Sequence, residues 1–102
     1  MPTAYVTAPP EAAADIARTL VEERLAACVN RLDTDSTYRW EGEIHEGEEA
    51  ILLCKTTDER YEELVSRVVD LHPYEVPCVE RFEEGDLFGP FAAWRAESVG
   101  PE

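Results

Sequence analysis

Lysine is almost missing: Lys55 is the only one in 102 residues, and eight arginines complete a basic set of nine against 23 acidic residues. With a formal net charge of −14 there is no clustered Lys and Arg to neutralise phosphates, which excludes nucleic acid as a partner. The acids are scattered along the chain and none of them falls into an EF-hand loop, so they read as solvated surface. An acidic, lysine-poor surface on an otherwise ordinary globular pattern points to a halophilic protein, whose self-repulsion is screened by salt. Long apolar runs are also absent, so no segment has the length to cross a bilayer and no membrane partner is expected. Met1-Pro2-Thr3-Ala4 passes directly into strand-like sequence without a basic and then apolar leader, so the expected compartment is the cytoplasm. Cysteine is sparse and odd in number: Cys28, Cys54 and Cys78 are too widely spaced for a disulfide framework and are expected to be reduced.

What is present suffices for one domain. At 102 residues the chain is too short for two cores, and its 44% apolar residues lie in separate short runs. Residues 3–8 are β-branched and aromatic and close on Pro9-Pro10, which predicts a first strand. From Glu11 to about Ala27, the residues Ala13, Ile16, Ala17, Leu20, Val21 and Leu25 recur at helical spacing. Cys28 to Trp40 reads as a long strand, bulged or kinked at Asp33-Thr34-Asp35-Ser36, and Glu41 to Glu49 as a hairpin link. Ala50 to Thr56 is nearly all apolar, the pattern of a strand covered on both faces. Thr56 and Glu59 have the spacing of a capping box ahead of a second helix carrying Tyr61, Leu64, Val65, Val68 and Leu71, which must stop at His72-Pro73. A fourth strand over 78–83 and a closing helix over 91–99, anchored by Trp94, complete the chain.

The order βαββαβ plus a terminal helix describes an α+β, ferredoxin-like fold. Both main helices of that fold cover the same sheet face, yet the third strand is apolar on both sides. The simplest cover for the other face is another copy of the chain.

Four blocks carry a resemblance: residues 20–30 (LVEERLAACVN), 38–42 (YRWEG) followed by Ile44 and an acidic turn, Lys55-Thr56, and 72–77 (HPYEVP). In this order they resemble the CutA family of divalent-cation tolerance proteins, and together they span nearly the whole chain. The resemblance implies a homotrimer of PII-like architecture whose sheets face inward, with the hairpin of strands two and three reaching over a neighbour, and an association with tolerance to copper and other divalent metal ions. Residue by residue, it makes Cys28 the family-type cysteine, Tyr38 and Trp40 cleft-lining aromatics, Lys55 the family lysine, and His72, Tyr74 and Glu75 the HPYE segment. The chain departs from the pattern at Cys78, where relatives carry an acid, at 31–35 (RLDTD), and at Phe91.

Thiolate, imidazole and carboxylate suit copper or zinc, so Cys28, His72 and Glu75 form the candidate metal set, the ion being unnecessary for folding. The plainer reading packs Cys28 in the core, ends a helix with His72 and pairs Glu75 with a cation. Lys55, a solitary charge in an apolar strand, needs a carboxylate such as Glu75 or a cleft with a bound anion. His45 reads as an exposed loop residue, and Trp40 and Trp94 as closing a core, an interface or a pocket. No CxxC or HxxxH pair gives local ligand spacing, and GxSxG, HExxH and GxxxxGKS are absent, so an enzyme is not expected. Three functions remain open: a metal-binding trimer, a PII-like regulator that binds a small anionic ligand, and a docking trimer without ligand.

Overall fold

Burial alternates along the central strands, and this alternation sets the two faces of the sheet. The computed structural model describes residues 1–101, in the order β1 (Pro2–Ala8), α1 (Pro10–Glu22), β2 (Cys28–Trp40), β3 (Glu43–Lys55), α2 (Tyr61–Leu71), β4 (Val79–Glu83) and α3 (Gly89–Ser98). The four strands form one antiparallel sheet in the order β2-β3-β1-β4, the ferredoxin-like arrangement. Ala4, Val6 and Ala8 of β1 and Ala50, Leu52 and Cys54 of β3 lie on one face, against Ile16 and Leu20 of α1 and Leu64 and Val68 of α2. The opposite face carries Tyr5, Ile51, Leu53 and Lys55, all only half-buried, and Leu32 and Phe82, which are exposed. No helix covers it. None of the described helices is long and apolar enough to cross a membrane.

The first helix stops five residues short of the predicted Ala27. Arg24 takes a left-handed φ of 59°, Leu25 N–H donates to Leu20 O at 2.9 Å, and Arg24 N–H donates to Val21 O at 3.1 Å. This is a Schellman closure with arginine where glycine is usual. The strained conformation is held from outside, because the Arg24 guanidinium donates to Gly100 O at 2.6 Å and to Glu97 O at 2.8 Å.

The expected kink in β2 does not form. Every residue from Cys28 (opposite Lys55) to Trp40 (opposite Glu43) has one partner, so the cross-strand ladder overrides the turn preference of Asp33-Thr34-Asp35-Ser36. The link reduces to a two-residue turn at Glu41 and Gly42, whose φ values of 50° and 80° suit a type I′ hairpin. The capping box is not made either: α2 begins after Arg60, and the Thr56 hydroxyl instead donates to Leu25 O at 2.6 Å within the core. The helix does end at His72, extended at ψ 135° ahead of Pro73. In α3 the buried anchor is Arg95, at 0% exposure, whereas Trp94 is 46% exposed.

The straight hairpin creates one repulsive contact. Asp35 sits directly opposite Glu48, with Asp33 and Glu46 further along the same face. Like charges in this position destabilise a sheet by roughly 0.2–1 kcal/mol. Glu48→Gln is expected to raise the thermal midpoint in dilute buffer, and the gain to shrink in molar KCl, where the Debye length falls to about 3 Å. A midpoint shift equal in both buffers would refute this electrostatic origin.

Candidate binding cleft

The helix-free face carries a cleft of about 680 Å³ between the stem of the β2–β3 hairpin and the segment that joins α2 to β4. Tyr38 and Trp40 reach it because even-numbered β2 residues share the face of Ile51 and Leu53. His45 lies opposite Tyr38 and stacks on it, with centroids 5.6 Å apart at 17°. Glu49 follows the same alternation and is 7% exposed, although it lies just ahead of the apolar core of β3. Tyr74, Glu75, Cys78 and Glu80 supply the far wall.

His72 holds this wall in place. Its Nδ1 accepts from the Tyr74 backbone N–H at 3.1 Å, so Nε2 carries the proton and donates to Thr7 O at 2.7 Å. The ring packs 4.9 Å from that of Tyr74. The Tyr74 hydroxyl in turn donates to Glu49 Oε2 at 3.3 Å. Burial first, and the Glu49 carboxylate second, push the Tyr74 phenol up to about 12, so it remains a donor. Burial also raises the Cys78 thiol, whose Sγ lies 3.6 Å from Glu80 Oε1.

The structure therefore gathers Tyr38, Trp40, Tyr74 and Glu75 around one cavity and leaves Cys28, Lys55 and His72 outside its lining, whereas His45, expected in a loop, lies on β3 and lines it. Cys28 and Lys55 are cross-strand partners on the same face, and Lys55 also pairs with Thr3. His72 bonds to Thr7, four residues along β1 from Thr3, or about 13 Å away. Cys28, His72 and Glu75 thus do not assemble within one chain, and among the described residues no cluster of three His, Cys, Asp or Glu side chains has the geometry for a metal. Both nitrogens of His72 are already engaged. Cys28 is half-buried on the open face rather than in the core, where Cys54 lies. Lys55 does not meet Glu75: its Nζ is 3.5 Å from Thr3 Oγ1, and Thr3 donates to Glu84 at 3.1 Å.

Glu49, Cys78, Glu80 and His45 are among the cleft residues that sequence reasoning did not select. Extending the two-residue period of β3 backwards from Lys55 through Leu53 and Ile51 was the available signal for Glu49.

The fold and its uncovered, cleft-bearing sheet define an α+β domain of the PII-like, ferredoxin-like class. The family model for the CutA1 divalent ion tolerance protein matches residues 3–98. The Divalent-cation tolerance protein CutA of Thermus thermophilus is 44% identical over 91 residues, 88% of each chain. The crystal structure of CutA1 from Pyrococcus horikoshii superposes with a TM-score of 0.94 at 35% identity, covering 99% of this chain and 100% of that one. The PII-like protein CutA of a Nostoc species superposes with a TM-score of 0.94 at 33% identity, covering 98% of both chains. The chain belongs to the CutA1 divalent ion tolerance protein family.

Proposed function

We propose that the protein is a non-catalytic, cytoplasmic homotrimer that binds copper, or a similar divalent metal ion such as zinc, in or near the clefts between its subunits. The observation that carries this reading is the helix-free sheet face, on which half-buried Ile51 and Leu53 adjoin an acid-lined cleft. A second and third copy would cover the apolar part and bring one chain's Cys28 toward a neighbour's Glu75, an approach that is impossible within a single chain. His72 serves in this reading by holding the Tyr74-Glu75 wall. The metal is cargo and the core is complete without it. The charge of the cleft favours a cation over the small anion of a PII-like regulator, because Glu49, Glu75 and Glu80 line it and Lys55 does not.

Calorimetric titration of the reduced, metal-free protein with copper and zinc in molar KCl tests the reading. Saturable binding at a whole number of ions per trimer is expected. Cys28→Ser should abolish it, and His72→Ala should weaken it about tenfold through the displaced wall. Saturation indifferent to both substitutions would refute the assigned ligands. No saturation would leave a docking trimer.

A further inference from the structure

We infer that the pairing of Arg24 with Gly100 is a latch, whose release opens the turn between α1 and β2, so that the end of the chain governs how firmly β2 begins at Cys28. Two left-handed residues meet there, Arg24 at φ 59° and Gly100 at φ 103°. They bond in both directions: the Gly100 N–H donates to Arg24 O at 2.9 Å, and the Arg24 Nε–H donates back to Gly100 O at 2.6 Å. Arg24 Nη2 also donates to Glu97 O at 2.8 Å. Glycine takes a left-handed conformation freely, whereas the Cβ of an arginine crowds the following carbonyl. Closure of the turn at Arg24 is therefore sustained by the far end of the chain and not by the local sequence.

The latch is separable from the helix that carries it. Arg95 anchors α3 further back, through Thr56 O and the Glu84 carboxylate, and the chain leaves the helix in extended form at Val99, so the tail lifts without undocking α3. The acceptors of Arg24 are uncharged carbonyls, whereas Arg18, Arg60, Arg67, Arg81 and Arg95 pair with carboxylates, so salt does not screen the latch away. The turn it governs leads directly to the sheet. Leu25 and Ala26 N–H both donate to Leu20 O, at 2.9 and 3.1 Å, Leu25 O accepts the Thr56 hydroxyl, and Ala27 N–H donates to Lys55 O at 2.8 Å, one residue before Cys28 pairs with Lys55. Opening at Arg24 loosens this run as a local unit, below global unfolding, and reaches the Cys28–Lys55 end of the sheet. The device needs neither a metal nor a neighbouring copy, so it stands or falls apart from the copper reading.

The test is amide hydrogen exchange, read by NMR on the full metal-free chain in molar KCl, for wild type, Gly100→Pro, Arg24→Gly and the two substitutions combined. Proline at 100 has no N–H and cannot adopt a φ of 103°, so it opens the latch. The Leu25 and Ala26 amides, at the other end of the sequence, should then exchange about tenfold faster or more, while core amides such as Val6 and Leu52 keep their wild-type rates. Arg24→Gly removes the guanidinium but suits the left-handed turn, so the Gly100 amide should exchange about tenfold faster with Leu25 and Ala26 unchanged. The combination is decisive: Arg24→Gly should return Leu25 and Ala26 in the Gly100→Pro chain to within about threefold of wild type, because the strain that opened the turn is gone. Unchanged rates at Leu25 and Ala26 in Gly100→Pro, or no rescue by Arg24→Gly, would overturn the proposal. Equal acceleration of the core amides would overturn it too, by showing global unfolding in place of a latch.

Discussion

Arg95→Met is expected to destabilise the fold by about 3–5 kcal/mol, because it removes the buried member of an ion pair and takes from Thr56 O, Pro2 O and Glu84 the guanidinium that ties them together. The Arg95 side chain is fully buried. Its Nε donates to Thr56 O at 2.8 Å, its Nη1 and Nη2 donate to the two Glu84 oxygens at 2.7 and 2.6 Å, and Nη2 also donates to Pro2 O. One guanidinium thus joins α3 to the start of β1, the end of β3 and the residue after β4. Arg95→Lys should recover little, since an ammonium cannot serve this planar, bidentate set. The Arg95 bonds hold the Glu84 carboxyl below its ordinary range. A carboxyl depressed in the folded state contributes stability above its unfolded value of about 4.3, and that contribution disappears as pH falls through the folded value. The gap between wild type and Arg95→Met should therefore be widest near neutrality and narrow in acid. Denaturant unfolding in molar KCl at several pH values measures it, and a neutral-pH gap under about 1 kcal/mol would show that α3 docks by other contacts.

Sequence patterns identified the parts of this fold that rest on periodicity. Leu64 and Val68 of α2 and Ile16 and Leu20 of α1 fall on the core where helical spacing puts them, and the alternation of β1 is equally plain. The errors lie where a local preference met a tertiary contact. Thr56 has the right neighbour for a cap, but Leu25 O comes within 2.6 Å of its hydroxyl, from a turn thirty-one residues away, and captures it. The β2 turn residues lose to a ladder that pairs every one of them. Arg24 adopts a glycine conformation only because the far end of the chain supplies carbonyls for its guanidinium, which no window around Arg24 contains.

The site was legible in a different way. Tyr38, Trp40, Tyr74 and Glu75 came from family-like blocks, and all four line one cleft. Sequence order cannot reveal that Cys28 and Lys55 sit toward the Thr3 end of β1 whereas His72 docks on Thr7, because strand register decides it. Nor can it show that a loop-like glutamate, Glu49, becomes the most buried acid among the described residues and carries no arginine partner. That burial depends on Tyr74 folding over it from the segment after α2.

Leu53→Asp is expected to convert the proposed trimer into folded single chains. Leu53 lies between Asn30 and Tyr5 on the helix-free face, in a region where Leu32 is 47% and Phe82 46% exposed. In one chain alone it is half-buried, so an aspartate there can still reach water and the fold survives. In the proposed trimer a neighbouring copy covers that face, and the carboxylate would be buried without a partner at every interface, at several kcal/mol each, enough to weaken association at least about a thousandfold. Val69→Asp makes the same chemical change on α2, at a position 52% exposed and outside the core cluster, and should leave assembly unchanged. Sedimentation equilibrium in molar KCl separates the outcomes: wild type and Val69→Asp at three chain masses, Leu53→Asp at one. If Leu53→Asp still sediments as a trimer, the covered face is not this one, and the approach of Cys28 to a neighbouring cleft loses its basis. If wild type itself sediments as single chains, the apolar sheet face is open in solution and any metal must be held by one chain's residues.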